Sequence, residues 1–113
     1  MSDRTTWISH RGYSVQADEN TRDAFDRALE MGFLHLETDL RSTSDGHLVL
    51  AHDRSLDRIA SHAGVVDQMD RAALESIILA NGGHLMFFDE FIERYAAYYW
   101  TFDIKPETGT QVI

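Results

Sequence analysis

The 113-residue sequence contains no cysteine, one proline (Pro106), and no apolar run near the roughly 20 residues that span a bilayer. Without cysteine there are no disulfides, no thiolate zinc sites and no cysteine nucleophile, and the redox compartment stays open. No Pro- or Gly-rich linker, internal repeat or low-complexity tract divides the chain. Basic residues are scarce: 10 Lys and Arg against 19 Asp and Glu, a net charge of −9. That balance repels polyphosphate and anionic membrane surfaces, so neither nucleic acid nor stable membrane insertion is expected. The excess carboxylate suits a divalent cation and equally serves solubility. The polar start Met-Ser-Asp-Arg-Thr-Thr leads into no apolar segment of a signal peptide, which makes a soluble, cytoplasmic protein the default expectation.

What is present is ordinary globular composition, 43% apolar, 26% charged and 11% aromatic, which argues against wholesale disorder. One domain over residues 1–113 is the expectation from length. A closed eight-stranded α/β barrel, at about 250 residues, exceeds it.

Trp7-Ile8-Ser9 favours a strand and runs into the turn-like His10-Arg11-Gly12. Asn20 or Thr21 can cap a following helix, with Glu19 and Asp23 favourable near its positive end and Gly32 at C′. From Phe33 to Leu40 the pattern alternates. Leu34, Leu36, Thr38 and Leu40 share one face, and Phe33, His35, Glu37 and Asp39 the other. Ser44-Asp45-Gly46 signals a turn, and His47 to Ala51 is a second extended run ending at His52-Asp53. Residues 54–68 are irregular, anchored by Leu56 and Ile59. Asp70 caps a helix to about Leu79, ended by Asn81-Gly82-Gly83. A second helix, roughly Phe88 to Tyr98, buries Phe88, Phe91, Ile92 and Tyr95. Trp100 to Lys105 reads as a strand stopped by Pro106, with Trp100, Phe102 and Ile104 on a helix-packed face.

Strands alternating with helices predict an α/β architecture of parallel βαβ units, in which function gathers at the C-terminal ends of strands. Four polar clusters fall at such ends: His10-Arg11, Glu37-x-Asp39, His52-Asp53 and Asp103-x-Lys105. Glu37 and Asp39 lie about 6.6 Å apart along one strand face, close enough to share a hard cation such as Ca²⁺ or Mg²⁺. Two ordinary acids on a solvent-facing strand would look the same. Asp103 and Lys105 repeat the spacing, as a third metal ligand with a phosphate-binding cation or as a local ion pair. His10 and His52 suit a base and acid pair at a phosphodiester, and Arg11 offers a forked cation for its oxygens. His35, His47, His62 and His84 are given no role.

Taken in order, Ile8-Ser9-His10-Arg11-Gly12, Glu19-Asn20-Thr21 with an Ala-rich helix, Gly32, Glu37-x-Asp39, Ser44-Asp45-Gly46, Val49, His52-Asp53, Leu56, Arg58 and Asp103-x-Lys105-Pro106 resemble the glycerophosphodiester phosphodiesterase family. The resemblance runs from about Trp7 to Pro106. It implies the N-terminal part of a TIM-type (β/α)8 barrel, with a small insertion after the second strand around Ser44 to Met69. It also implies hydrolysis of a glycerophosphodiester, a small-molecule substrate, to glycerol 3-phosphate and an alcohol.

In the family's pattern Glu37, Asp39 and Asp103 bind Ca²⁺ or Mg²⁺, Asp103 standing where the family usually has Glu. His10 and His52 are the catalytic pair, here with His10 as base and His52 as acid. Arg11 and Lys105 contact the phosphate. The attacker implied is the neighbouring glycerol hydroxyl, giving a cyclic phosphate that water then opens. A barrel of this kind needs roughly twice the present length. The chain is therefore expected to be truncated, weakly active or inactive alone, and inclined to self-associate through an open barrel edge. A non-catalytic partial barrel that binds a partner, and a metal-binding domain without turnover, are the competing expectations.

Overall fold

The structure is a computed structural model that describes residues 8–12 and 17–105, with Ile8–His10 described by their backbone. Its organising element is β2 (His35–Ser42), which carries a neighbour on each side. β1 (Ile8–His10) lies parallel to its first half, with His10 in register with Glu37. On the opposite edge β4 (Tyr99–Ile104) runs parallel from His35↔Tyr99 to Leu40↔Ile104, so Asp39 faces Asp103. The expected strand Trp100–Lys105 is thus found one residue earlier, and Trp7, Pro106 and the chain end lie outside the described residues.

The sheet is mixed, which corrects the expectation of parallel strands only. β3 (Leu48–Leu50) pairs antiparallel with Leu40–Ser42 of β2. The link of residues 43–47 is too short for a parallel crossover, which needs a dozen or more residues. It folds as a turn in which Thr43 Oγ1 donates to Asp45 Oδ1 at 2.6 Å and accepts from the His47 N–H. This hairpin also explains why Glu37 and Asp39 lie mid-strand rather than at the end of β2. Residues 40–42 continue past the site to pair with β3, and β3 then returns the chain toward it, with Ala51 N–H donating to Asp39 O at 3.0 Å.

α1 (Arg22–Glu30) starts where the sequence puts it. Thr21 Oγ1 accepts from Ala24 N–H, Met31 is the C-cap, and Gly32 follows at φ +97°. Its apolar face (Phe25, Ala28) packs with Leu36 and Leu40 of β2, Leu50 of β3, and Phe91 and Tyr95 of α4 (Phe88–Tyr95). Phe25, Phe91 and Tyr95 meet with centroids 5.1 to 5.6 Å apart, in the edge-to-face range of aromatic pairs. α4 ends three residues before the expected Tyr98.

The excursion between β3 and α4 holds α2 (Asp57–Ala60), a 3₁₀ turn at Val66–Gln68 and α3 (Arg71–Glu75). α3 is capped by Asp70 as expected but stops four residues short of Leu79. Beyond it Ile77 and Leu79 are buried and Ile78 is exposed, an alternation that fits extended chain rather than helix. Leu56, Val66 and Leu74 form a second core with Val49, Ala51, Leu79, Leu85 and Phe87, against which Ile59 packs. On β4 only Phe102 is packed as expected, against Phe88 and Phe91, whereas Trp100 and Ile104 are more than a third exposed. Among the described residues no helix is long and apolar enough to cross a membrane.

Gly12 fixes how the chain leaves β1. Its φ is +81°, and a Cβ there would sit 2.7 Å from the Ala24 backbone at the start of α1. Gly46 has nearly the same φ, +84°, with open space around it. Gly12→Ala is therefore expected to cost about 2–3 kcal/mol through overpacking and left-handed strain, against about 1 kcal/mol for Gly46→Ala. Thermal unfolding followed by circular dichroism reads the difference; equal losses would contradict the close approach.

Candidate active site

Asp39 is the most buried acid of the candidate set, at 1% exposure. A bare carboxylate at that depth is expensive, so its oxygens must be matched. Arg11 Nε approaches Oδ2 at 3.3 Å, Asn20 Nδ2 donates to the same oxygen at 3.2 Å, and Lys105 Nζ stands 3.4 Å from Oδ1. Asn20 is itself aimed by Thr38 Oγ1, which donates to its Oδ1 at 2.7 Å. Backbone geometry holds these groups in place. Arg11 and Asn20 both take left-handed conformations (φ +59° and +57°), joined by Asn20 N–H donating to Arg11 O, while Arg11 N–H donates to Glu37 O. An Arg at positive φ is a strained position, of the kind found at functional sites.

Lys105 also reaches Asp103, with Nζ 2.7 Å from Oδ2, so one ammonium joins Asp39 and Asp103 across adjacent strands. Its bond to Asp103 and the nearby Asp39 outweigh the depressing effect of its own burial and raise its pKa. The same bond lowers the pKa of Asp103, with His52 and Arg11 adding weaker attraction.

A second string of charges leads away from Arg11. Its Nη1 is 3.5 Å from Glu19 Oε2; Glu19 in turn holds Arg58 through two bonds, Nη1 to Oε1 at 2.7 Å and Nη2 to Oε2 at 2.8 Å. Arg58 Nε donates to Asp53 Oδ2 at 2.8 Å, and Asp53 Oδ1 lies 2.7 Å from His52 Nδ1. The Arg58 bond holds the Asp53 carboxyl down at about 2 against the opposing effect of partial burial, with His52 helping. Glu19 is lowered mainly by the same guanidinium. Arg41 donates Nε and Nη2 to the His52 carbonyl at 3.1 and 2.8 Å, fixing the backbone that carries the ring.

Of the seven residues expected at the site, Arg11, Asp39, Asp103 and Lys105 are brought into direct contact. Glu37 shares their strand face by register, two residues before Asp39. His10 is in register with Glu37. His52 follows a chain segment bonded to Asp39 through Ala51.

The donor set fits a hard divalent ion in kind, three carboxylates on one face of neighbouring strands. The expected convergence of all three is not found: among the described residues no group of three or more His, Asp or Glu is arranged to hold a metal ion. The Lys105 ammonium lies between two of the carboxylates instead.

The residues that sequence reasoning left without a site role are Asn20, Glu19, Asp53, Arg41 and Arg58. Asn20 carried a signal, since Asn tolerates left-handed backbone just before a helix cap. The Glu19–Arg58 pair joins positions 39 residues apart, and no local pattern announces it.

A family model described as the glycerophosphoryl diester phosphodiesterase family matches residues 10–108. The chain is 38% identical over 102 residues to a glycerophosphodiester phosphodiesterase of Caldanaerobacter subterraneus, covering 89% of this chain and 40% of that protein. Among solved structures it is similar to the glycerophosphodiester phosphodiesterase of Thermotoga maritima, with a TM-score of 0.82, 29% identity, and coverage of 93% of this chain and 46% of that one. It is also similar to an Oleispira antarctica phosphodiesterase in complex with the product sn-glycerol-3-phosphate, with a TM-score of 0.82, 27% identity, and coverage of 90% and 45%. The chain thus spans less than half the length of these relatives.

Removing the central carboxylate leaves Arg11 and Lys105 facing each other without their shared anion. Asp39→Ala is expected to lose about 3 kcal/mol in urea unfolding, the scale for stripping one partner from a buried ion pair; a loss near zero would contradict the matching described. Acid acts on the outer string. Because the folded Asp53 titrates at about 2, below the roughly 3.9 of an unfolded chain, its contribution is complete above about pH 4 and is lost as pH falls through about 2. Carboxyl ¹³C shifts followed against pH test this, and an Asp53 midpoint near 4 would refute it.

Proposed function

Because the chain belongs to the glycerophosphoryl diester phosphodiesterase family, we propose that it carries the reacting half of an enzyme that hydrolyses glycerophosphodiesters to glycerol 3-phosphate and an alcohol. The observation that carries this reading is the pairing of Arg11 and Lys105 with the buried Asp39, on the strand face shared by Glu37 and Asp103. Two cations held at one sheet position by a single buried anion are pre-organised to receive phosphate oxygens without moving at the moment of reaction. The product complex of the Oleispira antarctica relative supports the same substrate class.

In this reading Glu37, Asp39 and Asp103 are the residues that would hold Ca²⁺ or Mg²⁺. Such an ion, when bound, would supply Lewis-acid neutralisation of the negative charge of the phosphodiester. Lys105 yields its hold on Asp103 and turns, with Arg11, toward the phosphate. His10 accepts the proton of the glycerol hydroxyl next to the phosphodiester as that oxygen bonds to phosphorus. His52 gives a proton to the departing alkoxide as the second P–O bond breaks. Its Nε2 is the atom suited to this, since Nδ1 is engaged by Asp53. Water then opens the cyclic phosphate with the two imidazoles in exchanged roles, leaving glycerol 3-phosphate.

The test is release of glycerol 3-phosphate from glycerophosphocholine by the full chain with added Ca²⁺ or Mg²⁺. Slow, ion-dependent release is expected, falling about 100-fold or more in His10→Ala and in Glu37→Ala. Ion binding by calorimetry without release would replace this reading with a metal-binding domain, and neither binding nor release with a non-catalytic partial barrel.

A further inference from the structure

The excursion after β3 contributes two charged side chains, Asp53 and Arg58, to the string that ends on His52, and Arg58 is the one that ties it to the segment before α1. Three nitrogens of Arg58 have carboxylate acceptors: Nη1 and Nη2 on the two oxygens of Glu19, Nε on Asp53 Oδ2. A guanidinium is planar and rigid, so this fork fixes its plane and with it the orientation of the Asp53 carboxylate. The remaining oxygen of Asp53 is thereby presented to His52 Nδ1 at 2.7 Å. An ionised carboxylate only accepts hydrogen bonds, so His52 must carry its proton on Nδ1 and keep Nε2 as the exchanging nitrogen. The backbone of His52 is held separately, by Arg41 on its carbonyl. The ring's rotation about its own side chain is what Asp53 controls.

We propose that Arg58 is a positioning residue that acts on His52 through Asp53, locking the imidazole in the Nδ1–H tautomer with Nε2 available for proton transfer. This rests on the reading of His52 as a proton donor and deepens it by assigning the group that orients it. Glu19 is the anchor of the device. Its side chain is largely covered, it is carried by the segment before α1, and it holds Arg58 from outside the excursion. Without Arg58 nothing in this string ties the Asp53 carboxylate to Glu19, and the carboxylate is left to compete for water instead of facing the ring. The Asp53 carboxyl, held at about 2 chiefly by the Arg58 bond, agrees with that dependence.

The experiment is long-range ¹H–¹⁵N correlation on the histidine rings of the full chain at a pH where His52 is neutral. Wild type is expected to show His52 as the Nδ1–H form. Arg58→Met, which keeps the stem and removes the fork, is expected to shift it toward the Nε2–H form found in unconstrained imidazole, with the backbone spectrum outside residues 52–58 preserved. Arg58→Lys, able to engage one carboxylate but not both, is expected to fall between. Where Arg58→Met does not fold, Glu19→Gln gives the same reading with a smaller shift, because it loosens the fork without touching Asp53 or His52. An unchanged tautomer in the folded variants overturns the proposal. In the glycerol 3-phosphate assay Arg58→Met is expected to lower kcat by about 10–100-fold with KM unchanged, partly restored by Arg58→Lys; a rise in KM alone also overturns it. Absence of turnover in the wild-type chain would overturn the proposed function instead, and the tautomer measurement would still decide the role of Arg58.

Discussion

One buried carboxylate sets the terms for this structure. Asp39 is withdrawn from water in the central strand, and that burial is tolerable only because a guanidinium, an ammonium and an amide converge on it. The requirement reaches backward to Arg11 and Asn20, two non-glycine residues held in left-handed backbone, and forward to Lys105 just past the end of β4. Three segments far apart in sequence are tied to one side chain. The positive charge this draws together is more than Asp39 alone neutralises. The surplus is met by Glu19 and Asp103 at the margins.

The hairpin makes this arrangement compact. A parallel crossover would have carried the chain to the far end of the sheet, whereas the antiparallel β3 reverses it within the residues 43–47 and brings it back beside Asp39. His52 therefore follows the acidic strand face closely in sequence and in space. The excursion that comes after is not a passive insertion. It has its own apolar core and returns Arg58 to the segment before α1.

Much of this was legible in the sequence because it is local. Period-two alternation put Glu37 and Asp39 on one face, and cap chemistry located the start of α1 at Asn20 or Thr21, of which Thr21 is the cap, and of α3 at Asp70. The joint order of motifs identified the family. What sequence did not yield depends on pairing partners or on side-chain geometry. The direction of β3 was decipherable in principle from the shortness of its link to β2. The end of α3 was missed because Ile77-Ile78-Leu79 is apolar throughout, and only burial separates its two faces. The engagement of Lys105 by both Asp39 and Asp103, in place of three converging acids, follows from distances that spacing along a strand does not contain. Trp100 and Ile104 were expected inside because their strand alternates, yet α4 covers only the middle of that face.

β3 is three residues long, and its two buried neighbours face opposite ways: Val49 into the core of the excursion, Leu50 into the core between α1, β2 and α4. The molecule thus has two apolar interiors hinged on a single short strand. Cooperative opening of the excursion would carry Asp53 and Arg58 off together, with the ring that Asp53 orients, while β2, β4 and α1 kept Asp39 and Lys105 in register. In hydrogen exchange the amides of residues 54–79 would then form one protection class and those of β2 and α1 a slower one. The charged cluster around Asp39 and the ring of His52 would reside in units that melt separately.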